Sequence, residues 1–130
     1  MLDTNILISF ALFPSPGMTK LAQTITTQHS ACICEYSIME MDRVVRRKFP
    51  DKRQQAERFL LKFPYSLLHT PTVRIADTAF TIRDEDDYPV LLSAVLADVD
   101  ILITGDKDFD DVSLERPEIL TPAAFMERYG

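Results

Sequence analysis

The sequence predicts an α/β fold with a central, mostly parallel sheet flanked by helices, and three observations lead there. Short apolar runs alternate along the chain with longer stretches of helical periodicity. The run Ile101-Leu102-Ile103-Thr104 is nearly all apolar, as a strand covered on both faces of a parallel sheet must be. Acidic residues stand just past expected strand ends or at a helix start, where open parallel sheets collect their ligands.

Taken in order, Met1-Leu2 is a remnant of a first strand, and Asp3-Thr4-Asn5 offers side-chain caps for a helix beginning near Ile6. Pro14, Pro16 and Gly17 break that helix, and a second one runs from Met18 into Thr27. Ala31 to Cys34 reads as a buried strand. Ser37 can cap a helix reaching about Lys48, which Phe49-Pro50 ends because the residue before a proline is pushed out of the helical region. Asp51 can cap a further amphipathic helix to about Phe63, and Leu67 to His69 is a short strand. Between Thr70 and Ile82 no period stands out. Pro89 suits a first helical turn, and the apolar run Val90 to Ala97 predicts a helix buried on most sides, with Asp98 and Asp100 bracketing its end. Strands at Ile101–Thr104 and Glu118–Leu120 follow, and Thr121-Pro122 opens a last helix containing Phe125 and Met126.

Bulk properties bound the function. With 130 residues, 46% hydrophobic and 26% charged, the chain has the size and composition of one globular domain spanning 1–130. Its longest apolar runs fall far short of the roughly 20 residues a membrane span needs. No basic segment leads into an apolar one at Met1-Leu2-Asp3, so a cytoplasmic protein with no membrane association is expected. Cys32 and Cys34, two apart on one strand, read as free thiols. Neither they nor His29 and His69 have the spacing of a zinc site.

The net charge of −6 argues against a broad duplex-binding face, but its distribution is polar. Of 14 Lys and Arg, 8 lie between Arg43 and Lys62, and 10 of 20 Asp and Glu lie between Asp84 and Asp111. A basic strip that meets phosphate beside an acidic cluster that collects cations is one reading; two solvated surfaces is the other.

Asp3, Asp87 and Asp106 are the acids best placed for chemistry, although each alone could be a mere cap or turn residue. Glu40 lies at the edge of the buried face marked by Ile38, Met41, Val45 and Phe49, and could equally pair with Arg43 one turn on. Carboxylates brought together repel and raise one another's pKa; a hard divalent cation such as Mg²⁺ or Mn²⁺ removes that cost and can activate water at phosphorus. An EF-hand is excluded at Asp106-Lys107-Asp108-Phe109-Asp110, because Asp111 stands where the turn glycine belongs and Pro117 where the bidentate glutamate belongs.

Asp3-Thr4-Asn5 and Ser37-Ile38-Met39-Glu40 resemble the opening half of a PIN domain. Arg83 to Leu91 and Asp100 to Asp108 resemble its third and fourth acidic motifs, and Thr121-Pro122-Ala123-Ala124-Phe125 its usual ending. Within the family the likeness is to toxins of toxin-antitoxin pairs, near the VapC-type ribonucleases. The resemblance implies a PIN-like three-layer α/β/α sandwich, an acidic quartet of Asp3, Glu40, Asp87 and Asp106 binding Mg²⁺ or Mn²⁺, and supporting roles for Asn5, Thr104 and Asp108. It implies cleavage of RNA, with Arg43, Arg46, Arg47 and Lys48 meeting its phosphates, an antitoxin protein as partner, and a homodimer. It departs from the family pattern in having only Met1 and Leu2 ahead of the first acid, and in the acids Asp84, Glu85 and Asp86 that crowd Asp87. A non-catalytic binding module on the same fold is the first rival. Receiver domains and haloacid dehalogenase phosphatases fit less well, since both want a second acid after the first strand, where this chain has Asn5.

Overall fold

The computed structural model describes residues 1–71, 88–106, 109 and 114–130. Asp87, Asp108 and the run before Tyr88 lie outside the described residues, as does most of the acidic segment after Asp106.

The elements follow as α1 (Thr4–Leu12), α2 (Pro16–Gln28), β1 (Cys32–Cys34), α3 (Glu35–Lys48), α4 (Arg53–Lys62), β2 (Ser66–Leu68), α5 (Tyr88–Leu96), β3 (Ile101–Ile103), β4 (Glu118–Leu120) and α6 (Pro122–Tyr129). Their order and type match the alternation read from the sequence. Three local expectations shift. Pro16 and Gly17 do not separate the first two helices; they begin α2, with the Ser15 hydroxyl accepting from the Met18 amide, because proline's fixed φ and missing N–H cost nothing in a first turn. Ser37 does not cap α3, which starts two residues earlier with Cys34 at its N-cap; the Ser37 hydroxyl is buried 3.3 Å from the Cys34 sulfur. Asp51 sits in a single 3-10 turn, Pro50–Lys52, ahead of α4 instead of capping it.

Met1 to Asp3 stitch the sheet together. β1 pairs with β2 and β3 with β4, both in parallel. Between these pairs the Leu2 amide donates to the Cys32 carbonyl (3.1 Å), while Asp3 N donates to Ile103 O (3.0 Å) and Ile103 N to Met1 O (2.9 Å). The Met1 amino group itself donates to Ile101 O at 2.6 Å. The resulting order is β2, β1, the Met1–Asp3 segment, β3, β4, with Leu2 bridging Ile103 in parallel.

Side chains alternate across this sheet as a pleat requires. Leu2, Ile33 and Ile103 face one apolar layer with residues of α1, α2, α3, α4 and α6. Met1, Cys34 and Leu102 face the other, with Val90, Leu91 and Ala94 of α5 and with Phe109. Helices therefore cover both faces, which explains why Ile101 to Ile103 is apolar throughout: a strand with no solvent face has no position for a polar residue. The α5 helix ends with Asp98 in the left-handed region (φ 53°) and the Val99 amide returning to Ala94 O at 3.1 Å, a turn that aspartate tolerates better than most residues. Among the described residues no helix is long and apolar enough to cross a membrane.

Because Leu2 is 2% exposed at the centre of the sheet, Leu2→Ala should destabilise the fold by roughly 3 kcal/mol. Leu61→Ala, at a side chain 86% exposed, should change stability by less than about 0.5 kcal/mol. Denaturant unfolding of the two variants distinguishes these outcomes.

Candidate functional site at the carboxyl edge of the sheet

Asp3 is the pivot of the site. It ends the central strand segment and is the N-cap of α1, so strand and helix together fix its backbone. The side chain is buried, 4% exposed. Oδ1 accepts from the Thr4 amide at 2.8 Å, and Oδ2 accepts from the Thr104 hydroxyl at 2.7 Å. Thr104, just past β3, uses the same oxygen to accept the Asp106 amide at 3.0 Å. That second bond folds the chain back two residues on, in the manner of a hydroxyl-capped turn. It is Thr104 that closes the turn; a Cβ at Gly105 would meet nothing within 4 Å. One hydroxyl thus ties the first acid to the last acid of the expected quartet.

Burial pushes the Asp3 carboxyl above its ordinary range, against the two hydrogen bonds that favour its charged form. The negative charges of Glu40 and Asp106 push it further in the same direction. Asp3 therefore feels the charges of two other expected acids, which come from α3 and from the turn after β3. Thr4 Oγ1, beside Asp3 in the chain, is buried with no hydrogen-bond partner among the described residues, so the pocket around the carboxylate is short of polar partners.

Glu40 is half-buried on the edge of α3, as its helical position predicts. Its Oε2 accepts from the Tyr36 hydroxyl at 3.2 Å and lies 3.8 Å from an Arg43 guanidinium nitrogen. The pairing with Arg43 is present, yet it does not draw Glu40 away from Asp3. Burial and then the Glu40 charge push the Tyr36 phenol up, which keeps it a proton donor at neutral pH. Tyr36 is in turn held through its own amide, which donates to the Thr70 hydroxyl at 2.9 Å; Ser93 of α5 also donates to that hydroxyl, at 3.3 Å. Tyr36 and Thr70 were not among the residues expected at the site. Tyr36 lies four residues before Glu40, a spacing that places the two on one helix face, and that spacing was legible. Thr70, distant in sequence, had no such signature.

Asn5 lies in the first exposed turn of α1, next to the site. Of the basic strip, Arg46 is held by Asp42 at 2.8 Å and Arg43 by Glu40, while Arg47 and Lys48 are exposed. Among the described residues no three His, Cys, Asp or Glu side chains gather closely enough to hold a metal ion. The oxygen donors present are nevertheless of the kind a hard divalent cation takes, and the raised proton affinity of Asp3 marks negative charge that a cation would relieve.

A family model described as PIN domain matches residues 1–108. The chain belongs to the PIN-domain family. PIN domains are generally nucleases, and such nucleases generally use divalent metals. A chain in the crystal structure of VapBC2 from Rickettsia felis bound to a DNA fragment from their promoter is similar in fold: the TM-score is 0.69 at 14% identity, covering 92% of this chain and 95% of that one. No curated protein matches the sequence. In this PIN domain the Asp3–Thr104–Asp106 linkage joins the first strand segment to the turn after β3, and Glu40 of α3 acts on Asp3 through its charge.

A buried aspartate whose folded pKa is raised destabilises the native state once it is ionised, so the cost is present at neutral pH and is relieved as pH falls through the raised value. Without metal, Asp3→Asn loses both the charge and the second acceptor oxygen that takes the Thr104 hydroxyl, so its unfolding temperature relative to wild type should be most favourable at neutral pH and should fall on acidification. Thermal unfolding between neutral and mildly acidic pH, in chelator, measures both.

Proposed function

We propose that this PIN domain is a metal-dependent endoribonuclease that hydrolyses RNA phosphodiester bonds, acting in the cytoplasm as the toxin component of a type II toxin-antitoxin pair. The observation that carries the reading is the buried Asp3 carboxylate, linked through Thr104 to Asp106, its proton affinity raised first by burial and further by the charges of Glu40 and Asp106. Ionising Asp3 in so dry a position is unfavourable unless a cation shares the site.

Asp3, Asp87 and Asp106 would hold Mg²⁺ or Mn²⁺, with Glu40 ligating it or positioning the attacking water and Asp108 as an additional acid. When bound, such a cation supplies Lewis acidity at the phosphate and eases deprotonation of water. Thr104 orients Asp3 by donating to Oδ2, and α1 directs its N-terminus, the positive end of its dipole, at the same carboxylate. Asn5, in the first turn of α1, would face the substrate. Arg47 and Lys48 would meet RNA phosphates. Arg43 and Arg46 sit in exposed ion pairs of the kind worth little in water, so phosphate can compete for both. The likeness in fold to a chain of VapBC2 supports a protein antitoxin as partner.

The alternative is a catalytically inactive PIN-fold binding module. It is favoured by one observation, that the described acids do not by themselves close into a three-residue metal group. Cleavage of a labelled RNA pool decides between them. Wild-type protein should cut with Mn²⁺ or Mg²⁺ and not in chelator, and Asp106→Asn should lower the rate at least about a hundredfold, as loss of a group acting at the transition state does. Cutting that survives Asp106→Asn, or its complete absence from folded wild type, would reject the nuclease reading.

A further inference from the structure

Glutamate at position 40 carries a long side chain with several rotamers, and holding it in one of them for chemistry costs conformational entropy. Two groups on its own helix oppose that freedom. The Tyr36 hydroxyl donates to Oε2 at 3.2 Å, and the Arg43 guanidinium lies 3.8 Å from the same oxygen. Among the described residues both recorded contacts of this carboxylate fall on Oε2, leaving Oε1 for another role.

Tyr36 is itself immobilised from two directions. Its ring packs against the apolar cluster that contains Val90, Leu91 and Ala94 of α5. Its amide donates to Thr70 Oγ1, which also receives the Ser93 hydroxyl of α5. The phenol is therefore referenced to α5, the helix that follows Asp87 directly in the chain, while its oxygen holds the acid on α3.

We propose that Tyr36 is a positioning residue for Glu40: it clamps Oε2 through its hydroxyl and so presents Oε1 to the acidic site. The inference rests on the nuclease reading above and extends it to a residue outside the acidic motifs. Arg43 serves the same carboxylate, which makes it a flank of the site before it is a contact for RNA.

A double-mutant cycle of Tyr36→Phe and Glu40→Gln tests the proposal, read both as kcat and KM for RNA cleavage and as Mn²⁺ affinity by calorimetry. Phenylalanine keeps the ring packing and removes only the donor. Tyr36→Phe should lower kcat about tenfold, the effect of losing one hydrogen bond to a charged group, with KM for RNA unchanged and Mn²⁺ binding weakened severalfold. In the Glu40→Gln background the same change should cost little more, because the group it acts through is gone. Equal costs in both backgrounds, or no cost in either, overturn the proposal. If wild type binds Mn²⁺ and cuts nothing, the nuclease reading fails, and the Mn²⁺ affinities still decide: a Tyr36→Phe protein that binds as wild type does rules the clamp out. Wild type that binds no Mn²⁺ rules out both.

Discussion

The hydrogen bond from Thr104 to Asp3 joins residues 101 apart in sequence and closes two structures at once. On one side lies the strand segment Met1–Asp3, inserted between β1 and β3 and holding the two halves of the sheet together. On the other lies the turn that carries Asp106. The bond is made in a site where Asp3 is almost fully out of water, so the fold bears an electrostatic cost at the place where the acids meet. Asparagine would cap α1 as well and carry no charge, but its amide nitrogen could not accept the Thr104 hydroxyl as Oδ2 does. Retention of a carboxylate makes physical sense if something positive shares the site.

Most of the fold was legible because its two faces impose strong periodicities. The apolar β3 and the largely apolar α5 identified themselves, since an element with little solvent face has few polar positions to confuse the pattern. Helix starts were harder. At Ser37 a good capping residue stood two positions inside the helix and was used against the Cys34 sulfur instead; at Pro16 a helix breaker was a helix starter. Both errors have one cause, that the same residue type serves different geometries according to what packs beside it, and a single sequence does not carry that information.

The site was legible as a set of acids at strand ends and less so as a network. The charges of Glu40 and Asp106 act on Asp3, and Asp87 and Asp108 lie outside the described residues. What composition and spacing did not reveal was the neutral machinery. Thr104 shapes the turn that carries Asp106, and Tyr36 holds Glu40. Hydroxyl groups are too common in sequences to stand out. Only their hydrogen bonds, formed across long separations, assign them.

The most direct test of the account is the effect of Mn²⁺ on thermal unfolding, compared between wild type and Asp3→Asn at neutral pH. A ligand that binds only the native state stabilises it by about 2.7 kcal/mol at a hundred times its Kd, so wild type should gain several degrees with saturating Mn²⁺ and lose them again in chelator. Asp3→Asn should gain almost nothing. An equal gain in both proteins, or none in wild type, would contradict the claim that the acidic corner built around Asp3 is a cation site.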